Sequence, residues 1–167
     1  MRKIINLIAR VLVWVLIIAM PILAIGFACG YNIAIVHGDS MYPVLHDKDI
    51  VITEKSFVPE RNDIITLTVK DDTFYIKRVI GLPGETVQII DGYVYINGEK
   101  YADVVDIQIE DAGLFTEPQI IPEDHYFVLG DNRNHSIDSR ALGLMHKDDI
   151  TGRVIRHWGN GDISLNT

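Results

Sequence analysis

The sequence predicts a mainly β domain of barrel or sandwich type behind one N-terminal transmembrane helix, and three observations predict it. Val11 to Val36 contains no Asp, Glu, Lys or Arg. Beyond residue 37 the apolar residues fall in short β-branched and aromatic runs separated by Gly, Asn, Asp and Pro, which is the pattern of strands and turns. No stretch of that second piece sustains a helical period, and many short strands between turns favour a barrel or sandwich.

The uncharged run comes first. About 20 apolar residues span a bilayer core of about 30 Å as a helix. Pro21 sits inside it, and membrane helices tolerate such a proline with a kink. Trp14 and Tyr31 lie toward its ends, where aromatic rings prefer the headgroup level. A cleaved secretory signal is the alternative, but its apolar region covers only about 7–15 residues. Residues 1–30 hold Arg2, Lys3 and Arg10 and no acid. The positive-inside rule therefore places 1–10 in the cytoplasm, 11–36 as the span with a short juxtamembrane segment, and 37–167 outside.

The 167-residue chain has a net charge of −8, so residues 31–167 carry −11. That excess argues against nucleic acid, whose binders are basic. One cysteine, Cys29, excludes an intramolecular disulfide and reads as a small apolar residue near the membrane. The histidines at 37, 46, 125, 135, 146 and 157 are scattered without ligand spacing, so no metal or other cofactor is expected.

In the outer piece, 49–53, 63–69 and 73–80 read as strands. Runs 85–90 and 93–96 flank Asp91-Gly92, and Asn97-Gly98 precedes Lys100-Tyr101; both dipeptides are hairpin turns. Residues 104–122 are acidic, carry Gly113 and Pro118, and read as an insertion with a partial strand. Runs 126–129 and 153–158 complete the set, and Gly159-Asn-Gly-Asp162 marks the expected end of order.

Three segments carry candidate chemistry. In His37-Gly-Asp-Ser-Met-Tyr-Pro-Val-Leu45, Gly38 permits close backbone approach to Ser40 and Pro43 stiffens the loop; ordinary turn chemistry reads the same way. Met41, Tyr42, Val44 and Leu45 either touch the membrane surface or pack inward. In 73–80, Tyr75, Lys77 and Val79 share one strand face. Lys77 is either an edge-strand guard against aggregation or a desolvated amine able to take a serine proton. Lowering a lysine from about 10.4 to about 8 costs roughly 3 kcal/mol, which a domain of this size can bear. Finally, Asp131 to Ser139 holds eight polar residues in nine, followed by Arg140. This segment is either a solvated loop or one locked by Asp–Arg pairs, with Ser136 able to orient an amine.

Gly38-Asp-Ser-Met-Tyr-Pro43, Tyr75-Ile-Lys-Arg-Val-Ile-Gly-Leu-Pro-Gly-Glu85 and Gly130-Asp-Asn-Arg133 with Ser136-Ile-Asp-Ser-Arg140 resemble the signature boxes of bacterial type I signal peptidases, in the same order behind one anchor. The short form resembles the Gram-positive type. The resemblance implies a Ser/Lys dyad with Ser40 as nucleophile and Lys77 as general base. It implies Ser136 as the serine that orients the lysine, Asp138 and Arg140 as a supporting salt bridge, and Asp131 with Arg133 in the same scaffold. The Ser40 N–H is the implied oxyanion donor. Two positions depart from the family pattern. Gly38 stands where some members have a second oxyanion serine, and Asn134 stands where many have Asp.

The implied reaction is hydrolysis, through an acyl-enzyme, after the Ala-X-Ala type of site in exported preproteins. Met41, Tyr42, Ile50 and Tyr75 are the candidate pocket walls. The implied partners are signal-peptide-bearing preproteins, the lipid bilayer and the secretion translocon. Ser40 lies four residues past Val36, within about 15 Å of the end of the apolar run. A self-cleaving repressor of the DNA-damage response shares the dyad but is cytosolic with a DNA-binding module. A catalytically dead anchored scaffold would have no reason to keep Ser40, Lys77 and Ser136 together.

Overall fold

The computed structural model describes residues 2–28, 30–69 and 73–159. Helix α1 spans Arg2–Ala28. Its Ile4–Gly26 stretch has a mean hydropathy of 2.6 and buries nothing against the rest of the chain, so length and composition suit it to cross a membrane. The helix stops earlier than the apolar run does. Tyr31–Ile35 is strand β1, so the tail of that run belongs to the outer domain's sheet. Ser40 thus lies twelve residues past the helix end, which raises its maximal reach from the helix to about 40 Å. Cys29 and residues 160–162 lie outside the described residues.

The other strands are β2 (Ile50–Glu54), β3 (Ile64–Val69), β4 (Thr73–Gly81), β5 (Thr86–Ile90), β6 (Tyr93–Ile96), β7 (Glu99–Lys100), β8 (Gln119–Ile120), β9 (His125–Leu129), β10 (Met145–His146) and β11 (Ile150–Trp158). They form two antiparallel sheets. The larger runs β1-β2-β11-β3-β4-β9-β10 and the smaller β7-β6-β5-β8. Local chemistry sets the hairpins of the smaller sheet. Asp91-Gly92 and Asn97-Gly98 all have φ between +51° and +81°, as the tight turns that match strand twist require. The insertion supplies β8 and a 3₁₀ turn at Gly113–Phe115. A four-residue helix, α2 (Ser139–Leu142), follows the polar loop.

The core has three parts. Ile80, Phe115, Ile121, Phe127 and Leu129 join the smaller sheet to β4 and β9. Ile65, Leu67, Val79, Val128 and Met145 fill the next space. Met41, Val44 and Leu45 pack inward with Val36, Val51 and Ile64, which settles the choice left open for them. Tyr42 alone of that set is half exposed.

Two features of the larger sheet position the site. Strand β4 lies between β3 and β9, and Lys77 is buried, so it is not a solvent-facing edge-strand guard. Yet β4 pairs with β9 only from Arg78 onward, leaving the Phe74–Lys77 stretch with an unpaired edge. Strand β1 pairs with β2 alone and ends the sheet.

Candidate active site

Strand β1 runs directly into the serine loop. Gly38 adopts φ +81°, a conformation that L side chains rarely take, and its N–H donates to Asp47 Oδ1 at 2.9 Å. Gly38 therefore serves the turn and has no free N–H to offer an oxyanion. The loop is tied to residues 130–140 at two points. The Asn132 N–H donates to the Ser40 carbonyl at 3.0 Å, and Asn132 Nδ2 donates to the Asp39 carbonyl at 3.0 Å.

These constraints bring Ser40 to Lys77. Lys77 Nζ donates to Ser40 Oγ at 2.9 Å and to the Ile76 carbonyl at 2.8 Å. The lysine is 2% exposed. Burial lowers its ammonium from the ordinary 10.5 to about 8, while the Asp138 and Asp131 carboxylates pull it the other way. A hydroxyl hydrogen-bonded to a buried amine of this kind can lose its proton near neutral pH.

Ser136 does not meet Lys77. Its hydroxyl is buried and makes no hydrogen bond, because the lysine turns to the carbonyl of its own neighbour instead. Ser136 packs on Gly130, where an added Cβ would lie 2.1 Å from Ser136 Oγ and 2.5 Å from the Ser40 carbonyl oxygen. Only a glycine fits between those two serines.

The polar loop is a buried frame. Asp138 accepts two bonds from the Arg140 guanidinium at 2.9 Å each, one from the Arg140 N–H at 3.2 Å and one from the Gly130 N–H at 3.0 Å. Asp131 and Arg133 are both buried but do not pair with each other. Asp131 takes Arg78 Nε at 2.8 Å and Nη2 at 2.6 Å. Arg133 pairs with Asp103 and donates Nε to the Gly130 carbonyl at 3.1 Å. Asp138 and Arg140, two residues apart, form the pair that the resemblance implies; the long-range partners of Asp131 and Arg133 were not foreseen, and Arg78, which adjoins Lys77 in its box, was the available hint.

The insertion is fastened to this frame. Asn134 Oδ1 accepts the Glu110 N–H at 3.0 Å and its Nδ2 donates to the Gln108 carbonyl at 3.1 Å. An aspartate there would lack that second donor, so the departure from the family pattern has a local use.

Ser40 and Lys77 open into a cleft of about 360 Å³. Met41 and Tyr75 line it as expected, but Tyr42 and Ile50 do not. Tyr42 stacks edge-on against His46, with ring centroids 5.1 Å apart. Ile50 pairs across β2 with Ile35 and lies exposed. The walls not foreseen are Ala34, Ile35 and Val36 at the end of β1, Phe74 and Ile76 of β4, and His135 with Ile137. Those from β1 belong to a segment that reads as membrane anchor. Among the described residues no cluster of three or more His, Cys, Asp or Glu is placed to hold a metal ion.

The family described as "Signal peptidase, peptidase S26" matches residues 5–158. The chain belongs to this family. It is 40% identical over 136 residues to a protein named signal peptidase I S from Bacillus subtilis, covering 71% of each chain. It is 38% identical over 158 residues to signal peptidase I from Bacillus licheniformis, covering 83% of each. A crystal structure of a signal peptidase I from Enterococcus faecalis aligns with a TM-score of 0.48 at 32% identity, over 58% of this chain and 97% of that one. As a signal peptidase family member the chain is a serine endopeptidase, which makes the Ser40 cleft its candidate active site.

Proposed function

We propose that this protein removes signal peptides from exported preproteins by a Ser40/Lys77 dyad. The observation that carries the reading is the 2.9 Å contact between a serine hydroxyl and a buried lysine that titrates at about 8. Neutral Lys77 takes the Ser40 proton as Oγ attacks the scissile carbonyl carbon. The same proton passes to the departing amine, and the acyl-enzyme forms. Water, deprotonated by Lys77, then attacks the ester and releases the signal peptide with Ser40 restored.

The supporting groups follow from the geometry. The turn uses the N–H groups of Gly38, Tyr42, Val44 and Leu45, and that of Ser40, on the nucleophile itself, is the donor for the developing oxyanion. A neutral amine keeps two N–H bonds. One goes to the Ile76 carbonyl; in this reading Ser136, whose buried hydroxyl is unpaired, turns to accept the other.

The substrate lies extended between two unpaired edges, the end of β1 and the Phe74–Lys77 stretch of β4, adding main-chain bonds to each. Apolar walls near Ser40 exclude large side chains by clash, which selects small residues of the Ala-X-Ala type before the cut. The chain crosses the membrane once with its basic N-terminus in the cytoplasm and everything from β1 onward outside. That arrangement places the cleft on the side where a preprotein leaves the translocon, beside the bilayer.

The test is cleavage of a preprotein bearing an Ala-X-Ala site by the detergent-solubilised full chain. Ser40→Ala and Lys77→Ala should each abolish processing with folding intact; near-normal processing by either would overturn the dyad. The wild-type rate should rise with pH through a midpoint near 8, because the neutral lysine is the active form.

A further inference from the structure

Asn132 stands where an asparagine ordinarily does something else. It occupies the N-cap position of the 3₁₀ turn Arg133–His135, yet its side chain makes no capping bond, although asparagine is among the best caps. Its backbone is held at φ −78° and ψ +74°, and the Arg133 N–H donates to the Asp131 carbonyl at 3.0 Å. These are the marks of an inverse γ-turn with Asn132 at its tip. The residues on either side are fixed by distant partners, Asp131 by Arg78 and Arg133 by Asp103. The tip is thereby turned toward the serine loop instead of its own helical turn.

What Asn132 meets there is the main chain on both sides of Ser40. Its Nδ2 donates to the Asp39 carbonyl at 3.0 Å, and its N–H donates to the Ser40 carbonyl at 3.0 Å. The Asp39 carbonyl also accepts the Tyr42 N–H at 3.1 Å, a bond within the serine loop's own turn. A carbonyl oxygen has two lone pairs, so the Asn132 amide fills the one that the turn leaves. The peptide planes before and after Ser40 are both pinned by this one residue. Asn132 is not among the residues that line the cleft.

The plane before Ser40 bears on the chemistry. It holds the Asp39 carbonyl and the Ser40 N–H, which a planar trans peptide points in opposite directions. Fixing the carbonyl toward Asn132 fixes the N–H away from it. A donor for an oxyanion stabilises most when it is aimed before the charge develops, with no reorganisation left to make. The turn bond alone engages one lone pair and leaves the plane free to rock about it.

We propose that Asn132 is a positioning residue of the reaction: its side-chain amide sets the Asp39–Ser40 peptide plane and so aims the Ser40 N–H at the developing oxyanion. This role rests on Ser40 being the nucleophile and its N–H the oxyanion donor, as proposed above. It differs from a general brace of the loop in what it spares. The substrate touches other walls, and the Ser40–Lys77 contact is made between side chains, so neither KM nor the pH midpoint has reason to move.

The experiment is steady-state cleavage of an Ala-X-Ala preprotein across pH by the full chain in detergent, with thermal unfolding of the same proteins. Asn132→Asp keeps the size but sets an acceptor against the Asp39 carbonyl, and Asn132→Ala leaves no side-chain donor. Both keep the backbone bond to Ser40. Deleting an oxyanion donor outright costs about 10²–10³ in kcat, and misaiming one costs less, so kcat should fall by at least about tenfold in each variant. KM should stay within about twofold of wild type, and the pH midpoint within about 0.3 units.

A kcat within about twofold of wild type in both variants would overturn this role. So would a loss carried mainly in KM or accompanied by a moved pH midpoint, since either would route Asn132 through substrate binding or through Lys77. If Asn132→Asp does not fold, Asn132→Ala decides alone, because the site is only partly buried and alanine introduces no charge. Cleavage by Ser40→Ala would remove the nucleophile and this role with it, whereas Ser40-dependent cleavage indifferent to residue 132 would refute this role and leave the dyad standing.

Discussion

Residues 131–140 and strand β1 both border the Ser40 cleft, and they carry opposite kinds of side chain in opposite kinds of place. The first is almost wholly polar, yet Asp131, Arg133, Asp138, Ser139 and Arg140 are buried. The second is Tyr-Asn-Ile-Ala-Ile, yet Tyr31, Ile33 and Ile35 are exposed, Ile33 to 61%. In the domain interior Val, Ile, Leu and Phe fill three core clusters. A buried polar group needs a partner for each donor and acceptor, and the loop supplies them with arginine–aspartate pairs and carbonyls. An exposed apolar strand at a sheet end is a surface waiting for something apolar; in the proposed reading its cleft end takes the extended substrate. The inversion marks where structure serves chemistry.

The largest expected effect lies in the buried loop. Asp138→Ala removes the acceptor for Arg140 and for the Gly130 N–H, along with the cap of α2. It leaves a guanidinium uncompensated in the interior, which costs about 3–5 kcal/mol. Urea unfolding should show that loss. A change under about 1 kcal/mol would mean the loop behaves as a solvated one.

Lys77 of β4 carries an effect of the opposite sign. The folded protein holds it at about 8 against 10.5 in the open chain, so between those values the unfolded state binds more protons and stability rises with pH. Below pH 8 the whole burden of about 3 kcal/mol is present. Lys77→Met should therefore stabilise the protein by up to that amount at pH 7, with most of the gain gone by pH 10, while abolishing cleavage. Thermal unfolding at the two pH values reads it. An equal gain at both would assign the effect to packing rather than charge.

How much of this was legible depended on range along the chain. The hairpins at Asp91-Gly92 and Asn97-Gly98 were readable because turn chemistry is local. The residue types of the dyad and of the loop were readable from their boxes. Their distant partners were not. Asp131 meets Arg78 across 53 residues and Arg133 meets Asp103 across 30, whereas the pair within reach of the sequence was Asp138 with Arg140, two residues apart. Strand β1 was hidden for another reason. Its residues continue the hydropathy of α1, and hydropathy does not distinguish an exposed edge strand from the end of a membrane helix. The cleft walls at Ala34, Ile35 and Val36 were lost with it.

The seam between the loop and the insertion should give a smaller effect. Asn134→Asp loses the donor to the Gln108 carbonyl and sets a carboxylate beside that oxygen, a cost of about 1–2 kcal/mol. Because the loop also carries Asn132, which holds the serine loop, the rate should fall with stability. Stability loss without any change in kcat would show that the insertion braces the fold and not the site.

The smallest stability effect belongs to the exposed strand, and there the two regions separate most cleanly. Ile35 is 54% exposed and lines the cleft, so Ile35→Ser removes little from the core and should change unfolding free energy by no more than about 0.5 kcal/mol. Its contact with an extended substrate is worth more. Losing about 1 kcal/mol of apolar contact raises KM roughly fivefold, with kcat nearly unchanged because Ser40 and Lys77 are untouched. Steady-state cleavage and urea unfolding of the one variant measure both sides. If stability fell by 2 kcal/mol with KM constant, Ile35 would be a core residue in disguise, and β1 would belong with the loop as framework rather than opposite it as a binding edge.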